Sequence, residues 1–88
     1  DHGESLGENN LYLHGLPFAL APREQTHVPL IAWLPPDGAP GRTLACLQSR
    51  RDAPLTHDHL FHTVLGLAAV RASEYDPRLD AFAPCRSP

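Results

Sequence analysis

The sequence predicts an α/β chain, and three stretches carry that reading. Val28-Pro29-Leu30-Ile31-Ala32-Trp33-Leu34 is a short apolar run closed by Pro35-Pro36, the pattern of a largely buried strand. Thr56 to Val70 sets Leu60, Phe61, Val64, Leu65 and Ala68 on one stripe at helical spacing. A turn-rich connection separates the two. Strand, loop and helix in that order suit one edge of a layered α/β domain.

The remaining elements follow from local chemistry. Residues 1–15 hold Gly3, Gly7 and Gly15 with Asn9-Asn10 between them, which is loop composition suited to sharp turns and close approach. Ala21-Pro22-Arg23-Glu24-Gln25 fits one helical turn with Pro22 at its first position. Pro29 offers no ladder donor, so the strand starts late or lies at an edge. Residues 35–42 (PPDGAPGR) make a surface loop, and Thr43 to Arg51 a short helix with Leu44 and Leu47 on one face. In the longer helix Thr56 is the N-cap and Asp58 sits in the first turn, where negative charge is favoured. Its Leu60, Phe61, Val64 and Leu65 are expected to pack inward. Tyr75-Asp76-Pro77 and Ala83-Pro84-Cys85 then predict an irregular tail, and no internal repeat occurs.

Composition narrows the function. A chain of 88 residues makes at most one small domain, and one that buries only about 60–65% of its unfolded surface. It contains no Met and begins on Asp1-His2-Gly3-Glu4, so it is expected to be a piece of a longer product. Seven Lys and Arg against ten Asp and Glu give a formal net charge of −3. The one basic cluster, Arg50-Arg51, is too small to track phosphates, which argues against nucleic acid as a partner. No stretch nears the ~18–20 apolar residues of a membrane span, so any membrane anchor is expected outside these residues. Cys46 and Cys85 form no C-x-x-C arrangement, which excludes a zinc ribbon or thioredoxin-type motif. Buried thiols and a single disulfide both remain open, the latter favoured by an oxidising compartment.

The densest chemistry is at the start: Asp1, His2, Glu4 and, after a short loop, His14. A carboxylate beside an imidazole suits Zn²⁺. Neighbouring residues point to opposite faces of a strand, so Asp1 and His2 can share a metal only at a strand end or turn, which Gly3 makes cheap. Asp-His-Gly alone recurs by chance and more often marks a solvated loop. His59 and His62 lie one helical turn apart and could pair on a metal, although with His57 they more commonly form an exposed face. His27 has no partner nearby in sequence. No nucleophilic Ser in G-x-S-x-G and no phosphate loop of the G-x-x-x-x-G-K type occurs.

The run DHGESLGENNLYLHGLPFALAPREQTHVPLIAWL closely resembles the lipid A phosphoethanolamine transferases of Gram-negative bacteria, members of the alkaline phosphatase and sulfatase superfamily. LTHDHLFHTVLGL and the later FAPCR resemble the tail of the same enzymes. The resemblance implies that residues 1–88 are a C-terminal fragment of a periplasmic catalytic domain with an alkaline-phosphatase-like α/β/α sandwich. A membrane domain would lie N-terminal to it, in the bacterial inner membrane. It implies a zinc-dependent transfer of phosphoethanolamine from phosphatidylethanolamine to lipid A through a Thr phospho-enzyme. By motif match Asp1 and His2 are zinc ligands, and His14 stands near the phosphoryl group, where it can also meet a second zinc. Glu4 matches a motif position to which the resemblance assigns no role beyond support of the ligands. The Thr nucleophile and a further Glu ligand would lie upstream, so the fragment holds no catalytic nucleophile and is not expected to be active alone. A periplasmic setting makes Cys46–Cys85 a disulfide. The alternatives are another sulfatase or phosphoryl transferase of that superfamily, against which HGLPFALAP speaks, and a small non-catalytic metal-binding or interaction domain.

Overall fold

The structure, a computed structural model, describes residues 1–35 and 41–86, with side chains described for 1–35 and 43–86. The loop expected over residues 35–42 lies for the most part outside the described residues. The chain forms two compact units, Asp1–Trp33 and Leu34–Pro88.

The first unit is built on a β-hairpin. Strands β1 (Ser5–Leu6) and β2 (Tyr12–Leu13) pair antiparallel, with Ser5 opposite Leu13 and Leu6 opposite Tyr12. A 3-10 turn over Glu8–Asn10 connects them. Gly7 enters this turn at φ 114°, a left-handed backbone that glycine adopts without steric cost. Its N–H donates to the Leu11 carbonyl at 2.8 Å, and Glu8 Oε2 accepts from the Leu6 N–H at 2.8 Å. Helix α1 (Arg23–Thr26) is a single turn preceded by Pro22. It is tied to the hairpin through Gln25, whose side-chain amide donates to Ser5 Oγ at 2.8 Å, both residues being buried.

The second unit contains α2 (Gly41–Ser49) and α3 (Asp58–Leu67), followed by 3-10 turns at Pro77–Leu79 and Ala83–Cys85. The first turn packs on α3 and the second on α2. Cys46 of α2 and Cys85 form a disulfide with Cα atoms 5.5 Å apart, as the family resemblance implied. Asp80 organises the tail. It is 2% exposed, accepts from Tyr75 Oη at 2.7 Å and from the backbone N–H groups of Phe82 and Ala83, and pairs with the Arg86 guanidinium through both carboxylate oxygens. Burial alone would push this carboxyl upward. The hydrogen bonds from Arg86, Tyr75 and Phe82 outweigh it and hold Asp80 below its ordinary value. Asp76, bound by Arg78 through its side chain and backbone N–H, is lowered to about 2. Carboxylates whose folded values are depressed stabilise above their unfolded value and lose that contribution as they protonate. The second unit should therefore weaken as pH falls from about 4 toward the Asp76 value of about 2. Asp80→Asn should cost about 2 kcal/mol at neutral pH, because it removes charge-assisted hydrogen bonds, and should flatten that acid limb. Urea titrations across pH, monitored by circular dichroism, measure both.

Helix α3 ends with a reversed backbone. The Val70 N–H reaches the Leu65 carbonyl and the Ala69 N–H the Gly66 carbonyl, the hydrogen-bond pair of a Schellman motif. Ala69 occupies its left-handed position at φ 53°. An L side chain there costs roughly 1–2 kcal/mol, so Ala69→Gly should raise the melting temperature. Calorimetry of the variant would reveal it, and an unchanged or lower midpoint would count against the motif.

Three expectations need correction. Val28–Leu34 is not a strand: residues 27–35 are irregular, and Leu30, Ile31 and Trp33 are exposed. A strand requires a neighbour, and among the described residues the sheet has two strands, both in the hairpin. Pro29 and Pro35 also withhold ladder donors. The long helix is shorter than Thr56–Val70, and its N-cap position falls on His57 instead of Thr56. Most of its stripe faces outward: Leu60, Phe61 and Val64 are 52%, 54% and 53% exposed, while Leu65 is half-buried. The opposite face turns inward because it has hydrogen-bonding partners there. Thr63, buried, accepts from the Ala81 N–H at 2.9 Å, and His62 Nδ1 accepts from the Asp76 N–H at 3.0 Å. The shorter helix of residues 43–51 forms over Gly41–Ser49, displaced by two residues, with Leu47 half-buried and Leu44 exposed.

Candidate functional site

The first unit gathers Asp1, His2, Glu4 and His14. Gly3 anchors the N-terminal segment by donating to the Gln25 carbonyl at 3.0 Å, and a Cβ at Gly3 would collide with the Glu24 carbonyl. This position therefore needs glycine for close approach to α1, not for a special φ. Asp1 Oδ1 accepts the His2 N–H at 2.8 Å, and Oδ2 lies 3.6 Å from His2 Nε2. His2 Nδ1 lies 3.0 Å from the Gly3 carbonyl, which can only accept, so Nδ1 carries a proton; in the neutral ring that leaves the lone pair on Nε2.

The hairpin brings the second histidine to the first. The His14 ring stacks on that of His2 with centroids 4.0 Å apart and planes inclined by 29°. Glu4, just before β1, reaches His14, just after β2: Nδ1 lies 3.0 Å from Oε2 and 3.4 Å from Oε1. His2, Glu4 and His14 each offer one ligand atom, and these atoms lie within 4.8 Å of one another. All four residues are exposed.

The donor set fits zinc. Two ligands at ~2.0–2.1 Å from a tetrahedral ion stand about 3.4 Å apart, close to the 3.6 Å between Asp1 Oδ2 and His2 Nε2. The carboxylate–imidazole pair has the right chemistry, and the Gly3 carbonyl fixes the ring as outer partners of metal-bound histidines do. Such a pair leaves ligand positions for groups beyond this chain.

His59, His62 and His27 serve local structure. His59 Nδ1 accepts from the Thr56 N–H at 3.0 Å, His62 holds Asp76, and His27 accepts from Arg23 Nε at 3.3 Å. Among the described residues, no three-residue metal cluster includes His57, His59 or His62. Two features escaped the sequence reading. The Glu4–His14 contact depends on hairpin register, whose only trace was the Gly7 and Asn9-Asn10 turn composition. The Asp80 hub has no motif, and its partners Tyr75 and Arg86 lie in a segment read simply as irregular.

A family model described as Sulfatase matches residues 1–70. The phosphoethanolamine transferase EptA of Salmonella typhimurium is 47% identical over 89 residues, covering 98% of this chain and 16% of that protein. The phosphatidylethanolamine transferase Mcr-1 of Escherichia coli is 46% identical over 78 residues, covering 89% of this chain and 13% of its own length. Among solved structures, the C-terminal periplasmic domain of the phosphoethanolamine transferase EptC from Campylobacter jejuni superposes with a TM-score of 0.79 at 41% identity. It covers 98% of this chain, which spans 27% of that domain.

Proposed function

Because the chain belongs to the sulfatase family and folds as part of an α/β domain of that family, we propose that residues 1–88 are the C-terminal part of the catalytic domain of a zinc-dependent phosphoethanolamine transferase. One observation carries this reading: relatives up to 47% identical over nearly the whole chain are transferases of that group. The pairing of Asp1 with His2 supports it.

The donor in this reading is phosphatidylethanolamine and the acceptor lipid A. The domain faces the periplasm, held at the inner membrane by a segment outside residues 1–88. Asp1 and His2 hold the zinc through Oδ2 and Nε2, and the Gly3 carbonyl keeps His2 in the required tautomer. When bound, zinc supplies Lewis-acid charge for a phosphoryl group and for the hydroxyl that attacks it. The attacking threonine lies outside this chain, and its phospho-form lets two lipids use one site in turn. His14, stacked on His2, stands at the phosphoryl group or a second metal ion.

Expression of the full-length protein in a strain without its own transferases tests the reading. Lipid A should carry phosphoethanolamine by mass spectrometry. Unmodified lipid A from cells with correctly exported protein would refute the assignment.

A further inference from the structure

Glu4 has no role in the zinc pair, yet it makes the closest side-chain contact to His14. Its carboxylate spans the ends of the hairpin and meets Nδ1 through Oε2 at 3.0 Å, with Oε1 at 3.4 Å. An ionised carboxylate only accepts hydrogen bonds, so this contact requires a proton on Nδ1 of His14. Nε2 is then the nitrogen left for substrate or metal: a lone pair in the neutral ring, a second N–H donor toward an anionic group in the charged one. The His2 ring stacks against one face of the His14 ring, and the carboxylate holds its Nδ1 edge.

We infer that Glu4 is a positioning residue for His14: it fixes the Nδ1–H tautomer and ring orientation, so that Nε2 meets the phosphoryl group in the working orientation. The inference rests on the transferase reading above and adds to it the group that makes His14 effective. A freely rotating imidazole has two tautomers and a flipped ring. Carboxylates that orient functional histidines typically account for 10–100-fold in activity or affinity. The backbone supplies the precision, since Glu4 and His14 flank paired strands whose register is set by Ser5 opposite Leu13.

The test uses the purified full-length protein with phosphatidylethanolamine as donor, and compares Glu4→Ala, Glu4→Gln, His14→Ala and the double Glu4→Ala/His14→Ala variant. Glu4→Ala should lower kcat by about 10–100-fold, with KM and bound zinc unchanged. Glu4→Gln keeps an acceptor oxygen at the same reach and should recover most of that loss. It also carries the test if Glu4→Ala fails to fold. A residue acting through His14 adds nothing once His14 is gone, so the double variant should be no slower than His14→Ala. Losses that multiply, full activity in Glu4→Ala, or a Glu4→Gln as poor as Glu4→Ala would each overturn the inference. No transfer of phosphoethanolamine by the parent protein itself would instead show that the transferase reading had failed.

Discussion

Asp1→Ala and His2→Ala, each in the full-length protein, should lower transfer of phosphoethanolamine by on the order of 10³-fold, the range expected when a principal electrostatic contact to the transition state is removed. Either substitution leaves one donor where two now stand 3.6 Å apart. Zinc content, measured by elemental analysis, should fall together with activity. His14→Ala should behave differently, slowing transfer while the metal is retained, because its ring stacks beside the pair without completing it. Lipid A mass spectrometry of cells carrying each variant provides the cellular counterpart. Normal modification by Asp1→Ala or His2→Ala would sink the metal assignment whatever the fold.

Loss of the disulfide should have the largest effect on stability. Cys46 and Cys85 are 39 positions apart and join α2 to the final turn. Closing a loop of that size stabilises by about 4 kcal/mol in the chain-entropy model. Small domains have only about 5–15 kcal/mol in total, and Cys85 is the one hydrophobic residue that is buried among those described. Cys46→Ser/Cys85→Ser should therefore unfold the second unit at far lower urea than the oxidised parent, with early proteolysis between α2 and α3. Matching urea midpoints for the variant and the parent would show that the crosslink adds nothing.

The sequence made some of this legible and concealed the rest for identifiable reasons. Helix α3 was visible from the 3.6-residue period of its apolar positions, but periodicity gives a stripe without saying what will cover it. Here Thr63 and His62 found backbone donors in the tail, whereas Leu60, Phe61 and Val64 stay exposed. Val28–Leu34 had the composition of a strand, yet strand formation is a property of pairs. The hairpin was missed for the opposite reason, since two-residue strands are too short to show alternation. Asp1, His2 and His14 could be placed because the motif resemblance reached them residue by residue. Glu4 could be named but not explained, since its partner lies ten positions away, across a turn.

That turn acts as a ruler. The reach from Glu4 to His14 depends on how many residues separate β1 from β2, and in a strand each single step sends a side chain to the other face. A deletion or insertion of one residue between Gly7 and Leu11 would shift the pairing of Ser5 with Leu13 and carry His14 away from both Glu4 and His2. The turn is therefore constrained in length, and in composition as well, since Gly7, Asn9 and Asn10 hold positive φ and the Glu8 carboxylate accepts from the Leu6 N–H. Swapping Asn9 or Asn10, at φ 54° and 61°, for a residue other than glycine adds roughly 1–2 kcal/mol of left-handed strain, whereas removing either displaces the histidine at the far end of the hairpin.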